Sequence, residues 1–562
     1  MFVKITQSGP RRYVQLVESY RDDEGKVKKR TIATLGRLDQ ISGELRSVID
    51  GLLKITGLGP LQAPPTMTFE SAKAFGDLWA LHELWRTLGF HELQRCFRSA
   101  RYGMDVEALI RTMVFNRLCD PESKLGVLRW LETVSIPGVS PEEVTHQRLL
   151  RSMDALIDHQ DRVEHITARL LRPLIDQDLS VVFYDMTTIR AEGLSEQLCD
   201  IRQFGMSKEG GIARQFMLGV VQTAEGIPLY HEVFEGNRAE SPTLLPMIQN
   251  VLARYPSIRR LILVADRGLL SLDNLEALSA LRMSEQQPLE FILAVPGRRY
   301  AEFAELLQPF HEAIGSKTDE QIGETRWQDY RLVVAHDPLR ALEQTQERKK
   351  TIQALIDQGE QWAGKLGDQD YGVKSRGRKL SDSGAKARFY HAVCEAHLSK
   401  IIQVDLKSDL FAYDMNEQAL ALAERMDGKL LLVTNTQDLS PSEVVSRYKS
   451  LADIERGFRV LKSELEIGPV YHRLPERIRA HAMICFLALI LHRVIRLRLR
   501  AANSPLSPER ALEVVRRIQK HRIKLNDVAP VSGLSSITEE QAKIYQALKI
   551  QKPSASEQNL LL

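Results

Sequence analysis

The sequence predicts an α/β protein whose core has the order β-β-β-α-β-α, followed by an insertion and a closing α-helix. Two continuous apolar runs, residues 180–185 and 261–266, each end in an acid, which is typical of fully buried strands. Before them, residues 67–178 carry apolar side chains at helical spacing. Strands and charged helices between residues 297 and 440 interrupt the core pattern. We therefore expect a helical N-terminal region and a mixed α+β insertion domain around one α/β core.

The core is expected to begin at residue 179 with the strand SVVFYD. Two more strands, joined by a turn at Glu225-Gly226, are predicted from QFMLGVVQTAEGIPLYHEVFEGN. An amphipathic helix (TLLPMIQNVLARY), a fourth strand (RLILVAD), a second helix (SLDNLEALSAL) and a fifth strand (FILAVP) follow. This order of elements resembles that of the RNase H-like fold.

Outside the core, the first forty residues predict short strands (YVQLVESY and VKKRTIATLG) in a locally basic region. In the insertion we predict a strand from RWQDYRLVVAHD, a charged helix near residues 338–365, and strands from RFYHAVCEA, DLFAYD and KLLLVTN. One long helix is expected from about Ser442 to Ser463 and another from about Glu476 to Arg500. The predicted domains are a β-rich basic segment with its linker (1–66), a helical domain (67–178), the first part of the core (179–296), the insertion domain (297–440), the second part of the core (441–505), and a C-terminal helical segment with a tail (506–562).

The composition limits the class of protein. A chain of 562 residues is too long for one ordinary core, and its net charge of +3 excludes a uniformly basic surface but not local basic patches. Its five cysteines form no CxxC pair, which argues against a zinc site or a disulfide framework and fits a reducing cytoplasm. The N-terminus has no signal-peptide pattern, and the longest apolar run, 482–491, is too short to span a membrane. We expect a cytoplasmic protein without membrane partners.

Asp185 and Asp266 each end a predicted buried strand. Open α/β sheets bind ligands at the carboxyl ends of their strands, so the two carboxylates would meet if these strands are neighbours. Like charges so placed repel unless a cation lies between them, and carboxylates with open water positions suit Mg²⁺. Taken singly, each acid is better explained as a cap of the following turn or helix, because an Asp at the end of a strand is common. Together they favour a metal site.

A third acid lies in the helix predicted after the insertion. Tyr448, Glu455 and Lys462 are spaced seven residues apart, so a continuous helix would place them on one face with a drift of roughly 20° per step. Arg459 would lie one turn beyond Glu455 on the same side. The alternative is an ordinary surface helix with ion pairs four residues apart.

These residues resemble the bacterial insertion-sequence transposases of the DDE type. The nearest branch has a Tyr-x2-Arg-x3-Glu-x6-Lys signature, and Tyr448, Glu455 and Lys462 match its spacing, whereas Leu451 stands at the Arg position. The similarity also covers YDMTT, ADRG, NRLCDPESKL, the N-terminal VESYRDDEGKVKKRTIATLGRLD and the C-terminal block IERGFRVLKSELEIGPVYHRLPERIRAHAMICFLALIL. The insertion before the third acid is a feature of the same branch.

The resemblance implies an enzyme that transposes DNA. Asp185, Asp266 and Glu455 would be its catalytic acids and would hold two Mg²⁺ ions, with Mn²⁺ as an alternative and no other small-molecule cofactor. Its partners would be double-stranded DNA, as terminal inverted repeats and as target, bound by a homodimer on paired ends at the nucleoid. The residues that would contact DNA are Tyr448, Arg459, Lys462, Arg267 and Thr187.

Two other interpretations remain open at the level of sequence. One is an RNase H-like nuclease or resolvase that cuts DNA without strand transfer, because its metal site would be the same. The other is a non-catalytic DNA-binding protein derived from a transposase. In the insertion, Trp327 and Trp362 are candidates for stacking on a flipped base, but core aromatics are the better explanation for both. Residues 140–156 predict short helices that suit either a helix-turn-helix reader or a packing domain.

Overall fold

Nine strands form one mixed sheet at the centre of the protein, as seen in a computed structural model. The structure describes residues 1–41, 45–57, 67–98, 102–176, 180–193, 200–208, 210–269, 271–284, 287–314, 319–372, 379–525 and 530–554. Within these ranges, the description leaves out the side chains at positions 45, 46, 48, 268, 272, 273, 284, 287, 298, 312–314, 453–455 and 525.

The elements are numbered in chain order. The strands are β1 Phe2–Ser8, β2 Arg11–Arg21, β3 Val27–Arg37, β4 Met67–Ala74, β5 Ser180–Arg190, β6 Gln203–Met206, β7 Ile212–Thr223, β8 Pro228–Glu235, β9 Leu261–Ala265, β10 Arg282–Ser284, β11 Gln287–Pro288, β12 Glu290–Ala294, β13 Gln321–Trp327, β14 Tyr330–His336, β15 Ile402–Val404, β16 Tyr413–Met415, β17 Lys429–Thr434, β18 Gln519–Leu525 and β19 Val531–Leu534. The helices are α1 Leu38–Ile41, α2 Leu45–Ile55, α3 Gly76–Thr87, α4 Gln94–Arg98, α5 Val106–Cys119, α6 Lys124–Thr133, α7 His146–Asp158, α8 Gln160–Leu171, α9 Leu244–Arg254, α10 Leu272–Ala280, α11 Gln308–Ile314, α12 Pro338–Asp370, α13 Asp382–Glu395, α14 Glu417–Met426, α15 Pro441–Lys449, α16 Ala452–Arg459, α17 Pro475–Ala501, α18 Pro508–Arg516 and α19 Glu539–Ala547.

The predicted core strands all form and lie side by side in the order β8-β7-β5-β9-β12. β7 is antiparallel to both β5 and β8, whereas β9 is parallel to β5 and to β12. β5 therefore lies in the interior of the sheet, between β7 and β9. This position explains its apolar sequence, because a central strand covered on both faces exposes neither set of side chains to water.

The insertion contributes strands to the same sheet. β17 pairs with β12, β14 pairs with β17 and β13 pairs with β14. RWQDYRLVVAHD is a hairpin rather than the single predicted strand, because the chain turns at Gln328, whose φ is 54°. The part of the insertion around α12 and α13 packs on a small separate core that includes Ile352, Phe389 and Ile402, whereas Phe303 and Leu307 belong to the main core.

The segment RFYHAVCEA was expected to be a strand and is part of helix α13 instead. Ser381 caps this helix by accepting a hydrogen bond from the backbone N–H of Gly384, and Ala385, Phe389 and Val393 are buried four residues apart. The strand prediction was wrong because it considered only residues inside the helix. It missed the capping residue that marks the start of the helix and the four-residue spacing of the buried side chains.

The long helix predicted from Ser442 to Ser463 is broken. α15 ends at Lys449, α16 begins at Ala452, and a π-helical turn, Val460–Glu464, follows α16 directly. The break tightens the chain, since the N–H of Leu451 donates to the carbonyl of Tyr448, three residues back. Positions 448, 455 and 462 therefore belong to three successive elements rather than to one continuous helical face.

Helices from both ends of the chain pack into one apolar layer. Helix α17 is long and apolar enough to cross a membrane by length and composition alone, but 94% of its most apolar window is buried, as in a core helix. The hydroxyl of Tyr545 in α19 donates to the carbonyl of Gly76 at 2.8 Å, and the indole of Trp79 donates to the carbonyl of Gln551 at 2.9 Å. The last residues described in the structure thus pack against the first helix of this layer.

The chain divides into two compact units. The smaller unit comprises residues 1–72 and 521–533, and the larger comprises residues 73–520 and 534–562. In the smaller unit, β1, β2 and β3 form an antiparallel sheet in which Val14 and Val17 are buried. A second sheet of the order β19-β18-β4 lies mostly in the same unit.

Candidate active site

Asp185 and Asp266 lie next to each other at the sheet. Parallel strands β5 and β9 pair so that Tyr184 is level with Ala265, which brings the two following acids level as well. Residues that are level on paired strands point to the same face. The negative charge of Asp266 also contributes to the raised pKa of Asp185, as expected for two neighbouring carboxylates. The structure thus brings together two of the three predicted catalytic acids.

Asp185 is a largely buried carboxyl group, with 19% of its side chain exposed, and Lys208 offsets its charge only in part. Burial raises its pKa to about 6, and the charges of Glu240 and Asp266 add to the rise. Lys208 and a hydrogen bond from the backbone N–H of Met186, at 2.7 Å, act in the opposite direction without restoring the ordinary value. A cation placed between Asp185 and Asp266 would stabilise the ionised form of both.

Two residues beside Asp185 were missed in the sequence. The Nζ atom of Lys208 lies 3.4 Å from Oδ1 of Asp185 and 3.1 Å from Oε1 of Glu240, and it also donates to the carbonyl of Met186. Lys208 belongs to the turn between β6 and β7. The SKEGG segment marks a hairpin tip in the sequence, but nothing in it reveals that the tip reaches β5.

Tyr448 contacts the second acid directly. Its hydroxyl donates a hydrogen bond of 2.8 Å to Oδ1 of Asp266. Burial, the charge of Asp266 and this hydrogen bond raise the pKa of Tyr448, while Arg267 lowers it, so the phenol remains a proton donor. Tyr448 and Arg267 were expected to contact DNA, and both lie beside Asp266.

For the third acid, Glu455, the structure describes only the backbone. Glu455 lies in α16, and its side chain is outside the part of the chain that the structure describes. Arg459 ends the same helix and is exposed. Its distance from Glu455 along the sequence is one helical turn, as expected within α16.

Lys462 lies in the π-helical turn and reaches the far end of β5. It lines a cavity of about 340 Å³ together with Thr188, Arg190 and the segment Gly468–Pro469. Thr187 is only 4% exposed and offers little surface to a DNA strand. Lys462 is therefore close to the strand that carries Asp185, although it does not share a continuous helix with Tyr448.

The two tryptophans of the insertion region are packed among aromatic rings. Trp327 lies 5.2 Å from Phe303 between ring centres, and Trp362 lies 6.3 Å from Phe389. Both are half-buried and pack against an apolar core, which favours the structural interpretation over base stacking.

A second group of possible metal ligands lies behind the π-helical turn. The ligand atoms of Glu464, His492 and Glu509 all lie within 4.8 Å of one another. His492 Nε2 is 2.5 Å from Glu509 Oε1 and 3.1 Å from Glu464 Oε2. Burial lowers the pKa of His492, but hydrogen bonding to the two carboxylates raises it more, so the net shift is upward. The three side chains thus form an ion pair network that links the π-helical turn to α17 and α18. The carboxylates of Asp185 and Asp266 are the better match to a hard divalent ion, because their ligand atoms are oxygens alone.

Two parts of the chain match the models of known families. Residues 3–60 match the N-terminal domain of IS1634 family transposases, and residues 176–491, more than half of the chain, match the transposase DDE domain. No curated protein matches the sequence. A DDE transposase domain implies an RNase H-like core, the use of divalent metal ions and binding to DNA. The chain belongs to the DDE transposase family of insertion sequences.

Proposed function

We propose that this transposase cuts the ends of its own element by metal-dependent phosphodiester hydrolysis and joins the freed 3′-hydroxyl groups to target DNA. The main support is that Asp185 and Asp266 lie level with each other on adjacent parallel strands. The strand order β8-β7-β5-β9-β12, in which only the first two pairings are antiparallel, supports an RNase H-like catalytic core.

Asp185, Asp266 and Glu455 would together hold two Mg²⁺ ions, or Mn²⁺ in their place. When bound, such a pair activates the attacking oxygen and stabilises the leaving one. Tyr448 would orient Asp266 through its hydrogen bond to Oδ1 of that carboxylate. Lys208 neutralises part of the charge of Asp185 and Glu240. These contacts keep two repelling acids in one geometry.

The DNA would pass over cationic side chains beside the acids. Lys462, Arg459 and Arg267 would contact phosphates near the scissile bond, Lys462 as a point charge and the arginines as planar forks. Hydrolysis leaves a 3′-hydroxyl on the element, and this oxygen then displaces a 3′-oxygen of the target, with no covalent bond to the protein. A homodimer would pair two terminal inverted repeats in the cytoplasm at the nucleoid. Leu451 cannot supply the forked contact that an arginine at its position would make to a hairpinned end.

The proposal is tested with DNA that carries the element's own termini, a supercoiled target and Mg²⁺. We expect the wild type both to cleave the termini and to join them to the target. Asp185→Asn should bind the same DNA and form no product, because the amide keeps the shape but loses the charge that holds Mg²⁺.

The other outcomes identify the alternatives. Cleavage without joined product would show a nuclease that lacks strand transfer. Binding without cleavage by the wild type would show a DNA-binding protein that has lost catalysis. Cleavage by Asp185→Asn at the wild-type rate would remove Asp185 from the site.

A further inference from the structure

A cavity of about 700 Å³ lies beside the candidate active site and is not used by it. The first residues of α6, α7 and α17 form part of its wall, and the segment 466–474 forms another part. Gly468 and Pro469 line both this cavity and the smaller one that contains Lys462. The two cavities therefore share a wall.

Lys124 is the most unusual group in this wall. It is only 7% exposed, and it has no hydrogen bond or ion pair with any residue that the structure describes. Lysines are almost never buried without a partner, because removing an ammonium group from water is costly. Burial and the nearby charge of Arg117 lower the pKa of Lys124 to about 7. An anion in the cavity would supply the partner that the protein itself does not.

Arg117 adds a second positive charge, which no carboxylate in the described part of the chain neutralises. It is 5% exposed, and its guanidinium donates to the carbonyls of Glu122, Leu465 and Glu466. Its Nε atom is buried without a hydrogen-bond partner among the described residues. Glu122 and Glu466 also line the cavity, but within the described ranges their carboxylates form no ion pair with Arg117 or Lys124.

The backbone around the cavity also favours an anion. Lys124 is the first residue of the ten-residue helix α6, and His146 is the first of the thirteen-residue helix α7. Arg477 lies in the first turn of α17, which has 27 residues. Helix N-termini carry partial positive charge and unpaired N–H groups, so three of them at one cavity add to the field of the two side chains.

We infer that this cavity binds a phosphate group of the DNA strand, with Lys124 and Arg117 as its charged contacts. The inference rests on the proposed function, since it assigns a further contact to the same DNA. The wall shared with the Lys462 cavity would place this phosphate on the strand that passes the active site. Both cations come from the segment NRLCDPESKL, which contributes no residue to the candidate active site.

The test compares the wild type with Lys124→Met, which keeps the length of the side chain and removes its charge. Binding of labelled terminal DNA is titrated at several salt concentrations and at pH 6.5, below the pKa of about 7, where Lys124 is mostly charged. We expect the variant to bind roughly tenfold more weakly, as for the loss of a charged hydrogen bond. The slope of log affinity against log salt should fall by about one.

Stability separates this role from a structural one. Because no described residue of the free protein pairs with Lys124, Lys124→Met should unfold at the same temperature as the wild type or higher. A lysine that served the fold would give a lower unfolding temperature. The matched control is Lys543→Met, whose ammonium pairs with Glu539 on the exposed face of α19 and should leave DNA binding unchanged.

A second measurement needs no variant. Acetylation of Lys124 by acetic anhydride, followed by mass spectrometry, should be slowed by terminal DNA, whereas that of Lys543 should not. Inorganic phosphate is added in a parallel sample at matched ionic strength. If phosphate protects Lys124 and DNA does not, the occupant is a free phosphate and the inference is wrong.

The inference and the proposed function fail in different ways. Wild-type affinity, salt slope and DNA protection at Lys124 in an enzyme that still cuts and joins DNA would overturn only the inference. A wild type that binds no terminal DNA would overturn the proposed function, and with it the assignment of this cavity to DNA.

Discussion

The environment of Asp185 shows how burial prepares a carboxyl group for a cation. Its pKa of about 6 means that the folded protein resists ionising it, and the nearby Asp266 adds to that resistance. Lys208 offsets part of this unfavourable charge, since its Nζ atom lies 3.4 Å from Oδ1 of Asp185. A divalent ion would relieve more, because its charge is larger and both acids could contact it.

The hydrogen bond from Tyr448 to Asp266 gives a prediction at the residue scale. Tyr448→Phe removes the donor and keeps the ring, so Asp266 loses the contact that orients it. Loss of a hydrogen-bond partner of a metal-binding side chain typically lowers metal affinity or activity by roughly 10–100-fold. We expect the cleavage rate at limiting Mg²⁺ to fall within that range. The measurement is the cleavage rate as a function of Mg²⁺ concentration.

Tyr255→Phe is the matched control, because Tyr255 is also a buried tyrosine and donates to the carbonyl of Leu229. It should leave the Mg²⁺ dependence unchanged. Equal Mg²⁺ dependence in Tyr448→Phe and the wild type would show that this hydrogen bond has no part in positioning Asp266.

The two aspartates could be predicted from the sequence, whereas their neighbours could not. Each acid ends a buried apolar run, and that local pattern is sufficient to suggest strands with acids at one edge. Lys208 contacts Asp185 because it lies in the turn between β6 and β7, and β7 pairs with β5. Lys124 is identified only because no described residue pairs with it. Both facts depend on tertiary contacts that sequence spacing does not contain.

At the scale of elements, periodicity predicted where helices are but not where they stop. The seven-residue spacing of positions 448, 455 and 462 assumes 3.6 residues per turn throughout. The tightened turn at Leu451 and the π-helical turn at Val460–Glu464 change the rotation between these positions. Neither of these two turns contains proline, and Gly457 is the only glycine among the residues between them. The usual sequence signals of a broken helix are therefore missing.

Two glycines allow a test of how closely the helices pack. A methyl group added at Gly76 would lie 2.1 Å from the carbonyl oxygen of Val515, which is backbone and cannot rotate away. Gly76→Ala should therefore force α3 away from α18 and destabilise the protein by roughly 1–3 kcal/mol or more. Thermal unfolding and hydrogen exchange in α3 and α18 measure the effect.

Gly364→Ala serves as the comparison. Gly364 lies inside α12, before its last turn, and a methyl group there would meet nothing within 4 Å. Alanine should slow hydrogen exchange in α12 by an amount corresponding to about 0.5–1 kcal/mol, since glycine is the poorer helix former. If Gly76→Ala were as stable as the wild type or more stable, the close packing of α3 on α18 would be wrong.

At the scale of the whole molecule, the insertion is less separate than its sequence suggests. Its strands β13, β14 and β17 continue the core sheet, and only the part around α12 and α13 has its own small core. A continuous apolar run predicted the strand KLLLVTN correctly, but strand pairing across more than a hundred residues leaves no local pattern.

The path of DNA across the molecule gives the last prediction. Lys462 lines the cavity at the end of β5, so a strand held at the acids should pass its side chain. Lys462→Ala should weaken binding of the element's ends and reduce the salt slope by about one. It should not change which end sequence is preferred, because phosphates carry no base identity.

Titration of labelled ends at several salt concentrations measures both quantities, again with Lys543 as the control position. A surface lysine with only a structural role would change stability by under about 1 kcal/mol and leave DNA binding as it was. Identical slopes and affinities in Lys462→Ala and the wild type would support that role instead.

The return of the C-terminus to the first helix of the larger unit has a consequence for synthesis on the ribosome. Gly76 and Trp79 receive their contacts from Tyr545 and Gln551, which are translated last. At roughly 5–20 residues per second, that interval lasts about half a minute to a minute and a half. Until then α3 lacks these partners. The nascent chain must therefore avoid non-native contacts at the apolar side of α3 while the central sheet is still being synthesised.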